Sequence, residues 1–353
     1  MSKTKLPRKS RPYNFGTLYR NVIKPGYCAV CGGCEGVCPV NAIKIIHDTP
    51  KLISTCISCG ACVDVCLRYQ QRKNVQHQIS TKFGLIKSVC VGYSTDPEIK
   101  KKAQNGGVVS TLLKVALEND IIDSAILTIP GIDHFEPKPT LATTEQDILK
   151  AAGSKYTLNP LLQKIYAIKY SNRKKVAVVG LPCHLETLSN IIEHGYWGAD
   201  KRVILRIGLL CMRSYEHETL KMIVARETSL MINDIIKMDI RAGKLYLTTK
   251  DGIDTPIPLK KLKEARAPGC QYCKDLISPF ADLVVGNVGV EDTSNIIIIS
   301  TKLGEEILDL AKKKGKIETY TVDCQEWIPK LDAAKKLATI KWEKAKEMPE
   351  LEK

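Results

Sequence analysis

The chain has 353 residues, a formal charge of +15 from 53 Lys plus Arg against 38 Asp plus Glu, and 14 cysteines. With 44% hydrophobic and 26% charged residues it has an ordinary globular composition, which excludes disordered, collagen-like and coiled-coil chains, and its length suits two domains. No apolar run approaches the roughly 20 residues that span a bilayer. The first 26 residues carry seven basic side chains and no acid, but no hydrophobic stretch of a signal peptide follows. The expected location is therefore the cytoplasm, where thiols stay reduced and a disulfide framework is not expected. The positive surplus attracts anions in general. Aromatics at 6% with no basic-aromatic interleaving argue against nucleic acid as the partner.

In chain order, the first elements are a duplication. Cys28, Cys31, Cys34 and Cys38 form C-x2-C-x2-C-x3-C followed by Pro39, and Cys56, Cys59, Cys62 and Cys66 repeat that spacing 28 residues later. Three thiolates from one tight loop suit three corners of an iron–sulfide cubane, with the fourth cysteine starting a helix that leads away. In two-cluster ferredoxins that fourth cysteine binds the other cluster. One cluster is therefore assigned to Cys28, Cys31, Cys34 and Cys66, and the second to Cys56, Cys59, Cys62 and Cys38. Gly32, Gly33 and Gly60 fall in the loops, where backbone must approach sulfide closely. Zinc would call for C-x2-C pairs separated by a longer loop and does not explain the third cysteine. Leu67 stands where a proline often follows the fourth cysteine. The segment resembles a bacterial-type two-[4Fe-4S] ferredoxin, and residues 1–75 are read as that domain with a basic tail.

Beyond a polar stretch from Arg68 to Lys82, apolar and amphipathic segments alternate. Val108 to Leu117 reads as a largely buried helix and Ile121 to Ile129 as a strand ending at Pro130-Gly131. Val176 to Val179, Val203 to Leu210, Leu283 to Val285 and Ile296 to Ile299 read as strands, and Gly304 to Lys314 as an amphipathic helix. Strands separated by helices predict an α/β domain over 76–353 with a partly parallel sheet.

Cys183 follows the Val176 strand and Cys211 ends the Val203 strand, at the carboxyl ends where α/β sheets gather ligands. Cys270 and Cys273 add a C-x2-C pair. Together they number enough for a third cluster, though Cys183 and Cys211 read equally as small buried hydrophobes. Cys90 and Cys324 have no partner motif and are read as core. Asn105, Gly106, Gly107, Val108 and Ser110 open a helix whose amides and dipole suit a phosphate, and Lys155 beside Tyr156 offers a cation. Taken alone, each of those segments is more often a turn than a nucleotide site.

Gln104 to Leu113, Gly153 to Tyr156, Gly180-Leu181-Pro182-Cys183-His184, Cys211, Pro268 to Cys273 and Ala281 to Gly286 occur in an order that resembles the beta subunits of coenzyme F420-reducing hydrogenases and F420 dehydrogenases. The resemblance runs from about Cys28 to about Glu318. It implies FAD in the catalytic domain, with the Gly106-Gly107 segment and Lys155 as contacts, and a [4Fe-4S] cluster on Cys183, Cys211, Cys270 and Cys273. His184 and Lys155 stand as groups that would tune the flavin. The fused two-cluster segment resembles the electron-input subunit of the respiratory F420H2 dehydrogenase complex, and also the front of F420-dependent sulfite reductase. That implies hydride transfer from reduced F420 to FAD and single electrons passed through three clusters to a membrane complex, at whose inner face the chain would be peripheral, or to a ferredoxin. The rival readings are the reverse direction, with ferredoxin, hydrogenase or formate dehydrogenase reducing F420, and a flavin-free polyferredoxin relay.

Overall fold

Short β-branched runs form most of the strands of the chain, whose computed structural model describes residues 13–73, 86–320 and 324–351, the last from 331 onward in side chains. In order they are β1 (Ile43–Ile46), β2 (Thr49–Leu52), β3 (Ser88–Ser94), β4 (Ser124–Ile129), β5 (Lys138–Ala142), β6 (Val176–Gly180) and β7 (Val203–Leu209). Then follow β8 (Ile235–Arg241), β9 (Lys244–Thr249), β10 (Asp254–Pro258), β11 (Leu283–Gly286), β12 (Asn295–Ile299) and β13 (Ile317–Tyr320). Eight of them make one mixed sheet in the order β13-β3-β12-β11-β7-β6-β4-β5. Its middle, β11-β7-β6-β4, is parallel, and the strands on either side run antiparallel.

A parallel strand covered on both faces must be apolar throughout, and in β6 Val176, Ala177 and Val178 are all fully buried. One face packs on the helix Pro182–Glu193 through Leu185, Leu188 and Ile191, together with Leu161, Leu162, Ile165 and Ile168. The other packs on helices Val108–Glu118 and Lys302–Lys313. The helix over Val108 thus forms as predicted, but the strand expected from Ile121 begins only at Ser124. Asp120 adopts a left-handed φ of 53°, and the amides of Ile121 and Ile122 turn back to the carbonyl of Ala116. The meander β10-β9-β8, with its own core of Met238, Leu245, Leu247 and Ile257, has no counterpart among the sequence-predicted strands.

The cysteine-rich head keeps the duplication in three dimensions. Val30 and Ser58 share φ near 52° and 51°, Gly32 and Gly60 lie at 86° and 77°, and short helices Gly33–Gly36 and Ala61–Asp64 follow. A helix leads away from Cys66 (Leu67–Lys73), whereas after Cys38 the chain turns at Asn41, φ 51°, into the β1–β2 hairpin. Only the second repeat therefore has the helix expected after the fourth cysteine.

The head is built onto the sheet domain. Val37, Ala61 and Val65 belong to the same core as Leu161 and Leu185, and burying the two valines contributes about 3–6 kcal/mol. The amide of Leu162 donates to the carbonyl of Cys31 (2.9 Å) and Trp197 Nε1 to that of Gly36 (2.8 Å). A Cβ on Gly32 would lie 2.4 Å from the Pro160 carbonyl oxygen, so that glycine is required by the neighbouring backbone as well as by its positive φ. No helix among the described residues is long and apolar enough to cross a membrane.

Candidate functional site

Three cysteine groups emerge from the packing. Cys34 is held next to Cys28, Cys31, Cys62 and Cys66, and Cys66 in turn next to Cys31 and Cys28. Cys38, Cys56, Cys59 and Cys62 line one hollow with Val40 and Ile57. The fourth cysteine of each repeat thus sits with the first three of the other repeat, because the helices Gly33–Gly36 and Ala61–Asp64 pack side by side. The third group, Cys183, Cys211, Cys270 and Cys273, lines a cavity with Arg68, Asn159, His184, Ser214 and Lys341. Helix Pro182–Glu193 brings Cys183, the turn after β7 brings Cys211, and the helical turn Pro268–Tyr272 brings Cys270.

The donor chemistry of all three groups fits iron–sulfur clusters. The thiols are free, and burial pushes Cys28, Cys66 and Cys211 up to about 12, so that only a coordinated metal would keep them as thiolates. Among the described residues no three His, Cys, Asp or Glu side chains converge on a single metal ion. A cubane binds each thiolate at a different iron, so its ligands need no common point.

Two buried cations accompany the third group. Arg68, 2% exposed, donates through Nη2 to the Gly269 carbonyl (2.9 Å) and through Nη1 to the Tyr272 carbonyl (3.0 Å) and Gln71 Oε1 (2.9 Å). Lys341 Nζ donates to the carbonyls of Cys211 (2.6 Å) and Asp275 (2.7 Å). Burial alone would lower both pKa values, but Cys273 and its neighbours raise them, so both side chains are cations. They suit the negative charge of a thiolate-ligated cluster. Nothing local in Arg68-Tyr69-Gln70 or Ile340-Lys341-Trp342 distinguishes these from surface basic residues, and only the fold reveals them.

Two sequence expectations take a different form. His184 Nδ1 accepts from the Leu181 amide (3.1 Å) and Nε2 donates to the Asn159 carbonyl (2.9 Å), while burial holds its pKa down at about 4. This neutral ring spends both nitrogens on backbone. Gly106 and Gly107 are glycines because protein fills the space beside them. A Cβ on Gly106 would meet Asn295 and Gly92 within 3.0 Å, and Gly107 caps the helix at φ 73°.

The other residues nominated for a flavin are brought together, since the Ser154 amide donates to Gln104 Oε1 (3.3 Å). Several already have protein partners. Asn105 Nδ2 donates to the Asp292 carbonyl, the Val108 amide to Asn295 Oδ1, and the Ile240 amide to the Tyr156 hydroxyl. Lys155 Nζ donates to the carbonyls of Ala151, Ala152 and Gly153, closing the end of the helix Glu145–Ala151, and burial lowers its pKa to about 8. Ser110 lies half-buried in the first turn of its helix. Unpartnered buried polar atoms lie close by in sequence, Gln104 Nε2, Thr157 Oγ1 and Asn159 Oδ1, and Arg266 Nε joins them through the backbone bridges of Tyr215 to Thr157 and to Arg266. Such orphaned groups cost free energy unless a ligand meets them, so the region fits an organic cofactor. Cys90 is half-buried on β3 against the sheet core, and Cys324 lies outside the described side chains.

A mixed α/β sheet carrying a cysteine quartet, joined to a duplicated cysteine head compatible with a ferredoxin-like domain, defines a redox subunit. Two family descriptions match, the N-terminal part of the coenzyme F420 hydrogenase/dehydrogenase beta subunit over residues 89–165 and the C-terminal part of the same beta subunit over residues 173–324. The chain is 30% identical over 311 residues, 84% of its length and 85% of the relative's, to the F subunit of the F420H2 dehydrogenase of Methanosarcina mazei. It is 34% identical over 254 residues, 71% of this chain and 87% of the relative, to the beta subunit of the coenzyme F420 hydrogenase of Methanosarcina barkeri. A chain of the F420-reducing [NiFe] hydrogenase complex from Methanosarcina barkeri superposes with a TM-score of 0.71 at 32% identity, covering 75% of this chain and 92% of that one. The chain belongs to the family of coenzyme F420 hydrogenase/dehydrogenase beta subunits, and is part of an oxidoreductase.

Proposed function

We propose that this chain oxidises reduced coenzyme F420 and delivers the electrons singly to a partner protein, as the input subunit of an F420H2 dehydrogenase. The observation that carries the reading is the order of the three cysteine groups. Thr187, one turn along the helix from Cys183, meets Cys31 Sγ at 3.4 Å, and Cys183 itself is held near Cys31. Cys34 is in turn held near Cys62. The groups therefore run in file from the sheet domain to the head's outer hollow, where Val40 and Ile57 are exposed.

Cys183, Cys211, Cys270 and Cys273 would hold the inner [4Fe-4S] cluster, the Cys28 group with Cys66 the middle one, and the Cys56 group with Cys38 the outer one. Bound FAD would supply the conversion between a two-electron hydride donor and one-electron carriers. Arg68 and Lys341 hold charge at the inner group. The +15 balance favours a coenzyme that carries a phosphodiester and a glutamate tail. The exposed apolar side chains around the outer group suit the acceptor protein.

Anaerobic purification with iron, sulfide and flavin analysis tests this, together with bleaching of the cluster absorbance on adding reduced F420. The expected yield is about twelve irons, from three four-iron clusters, and one FAD per chain. Protein without flavin that is not reduced by the coenzyme overturns the reading.

A further inference from the structure

Three extended segments meet beside the inner cysteine group. Tyr215 pairs in parallel with Thr157 and antiparallel with Arg266. The platform is tied by the Leu158 amide to the Tyr215 carbonyl (2.8 Å), the Tyr215 amide to the Tyr156 carbonyl (3.0 Å) and the Ala267 amide to the Ser214 carbonyl (3.0 Å). Residues paired across strands project from the same face. That face carries Thr157, Tyr215 and Arg266, and alternation adds Arg213 from the Tyr215 segment. Arg213 lies near enough to Arg266 to repel its charge, and both guanidiniums lie near Tyr215. Among the described residues no carboxylate forms an ion pair with either arginine. Arg266 Nε and Thr157 Oγ1 are buried with no partner, Thr157 being 2% exposed. The platform abuts the cysteines directly, since the Ser214 amide donates to Cys270 Sγ (3.4 Å).

Two like charges near each other, beside a buried guanidinium nitrogen and a buried hydroxyl that have no partner in the chain, describe a receptor for a compact anion. Guanidinium forks with a hydroxyl match phosphoryl oxygens, which accept several hydrogen bonds at once. We propose that Arg213, Arg266 and Thr157 form a phosphate clamp that anchors the phosphorylated organic molecule reacting beside the inner cysteine group. The clamp rests on the redox reading above for the identity of that molecule, which is either the diphosphate of the flavin dinucleotide or the phosphodiester of the deazaflavin coenzyme.

The test uses full-length, iron-loaded protein as wild type, Arg213→Gln, Arg266→Gln, Arg266→Lys and the Arg213→Gln/Arg266→Gln double variant, with iron content as the control for folding. Pyrophosphate titrated calorimetrically into flavin-stripped protein is expected to bind wild type and to weaken by at least about tenfold in each Gln variant, with partial recovery in Arg266→Lys. Loss of bound FAD at unchanged KM for the coenzyme assigns the clamp to the flavin diphosphate. A KM raised about tenfold or more at full flavin content, with little change in kcat, assigns it to the coenzyme phosphodiester. Unchanged pyrophosphate affinity, flavin content and KM in Arg213→Gln and in any iron-replete Arg266 variant overturns the clamp. A wild type that is free of flavin and inert to the coenzyme sinks the redox reading instead, and the pyrophosphate titration still decides the clamp.

Discussion

Arg68 offers the sharpest test of how the head and the inner cysteine group depend on each other. Its side chain leaves the head and ends on the carbonyls of Gly269 and Tyr272, which flank Cys270. Arg68→Met keeps an unbranched apolar stem but strands both carbonyls in a buried place. Each stranded acceptor costs about 1–3 kcal/mol, so the loss is about 2–6 kcal/mol, a large share of a domain's usual 5–15 kcal/mol. Arg68→Lys keeps the charge, but its single ammonium cannot span both carbonyls as the planar fork does, and it should lose about half as much. With a guanidinium slope of roughly 2–6 kcal/mol per molar, the methionine variant should unfold about 1 M earlier by far-ultraviolet circular dichroism under anaerobic conditions. Iron should fall from about twelve to about eight per chain as the Pro268–Tyr272 turn loosens. Should Arg68→Met keep its full iron and a midpoint within roughly 0.2 M of wild type, the bridging role assigned to this side chain is refuted.

The exchange of fourth cysteines is open to a double substitution. Cys38→Ser, Cys56→Ser and the pair together should each remove the same cluster, about four irons, whereas ligation in sequence order predicts about eight lost in the double variant. Gly32→Ala should destabilise the docking of head on body by about 1 kcal/mol from the positive φ and by more from the contact with Pro160, read as faster limited proteolysis; wild-type resistance would contradict the packing account. The Asp48–His217 pair, Oδ1 to Nδ1 at 2.7 Å, ties the β1–β2 hairpin to the helix His217–Glu227, and Nε2 reaches the Leu158 carbonyl at 2.7 Å. Burial lowers the His217 pKa, but Asp48 outweighs it and the net direction is upward. A raised folded-state pKa gives stability that is complete below the unfolded value near 6.5 and fades as pH rises through the folded value. Hydrogen exchange in the hairpin should therefore quicken above about pH 6.5, and Asp48→Asn should flatten that dependence.

Periodicity and spacing alone determine a good part of this protein. The 28-residue cysteine repeat is local chemistry, and the backbone repeats it in the matched torsions of Val30 with Ser58 and Gly32 with Gly60. The Val176 strand was legible because two-sided burial demands an unbroken apolar run, and the Val108 helix because its apolar residues recur at helical spacing. The meander β8 to β10 was not, since its alternating, half-exposed strands carry no run of that kind.

The tertiary structure decided everything that depends on distant segments meeting. It brought Cys66 beside Cys28, grouped Cys183 and Cys211 with Cys270 and Cys273, and set the three groups in file. It turned Arg68 and Lys341 from ordinary basic residues into buried cations, and faced Arg213 with Arg266 across a platform drawn from three separate stretches of chain. A residue's neighbours along the chain set its torsions and its period. Its charge environment and its unpartnered hydrogen bonds are set by residues tens to hundreds of positions away, and only packing brings these into contact.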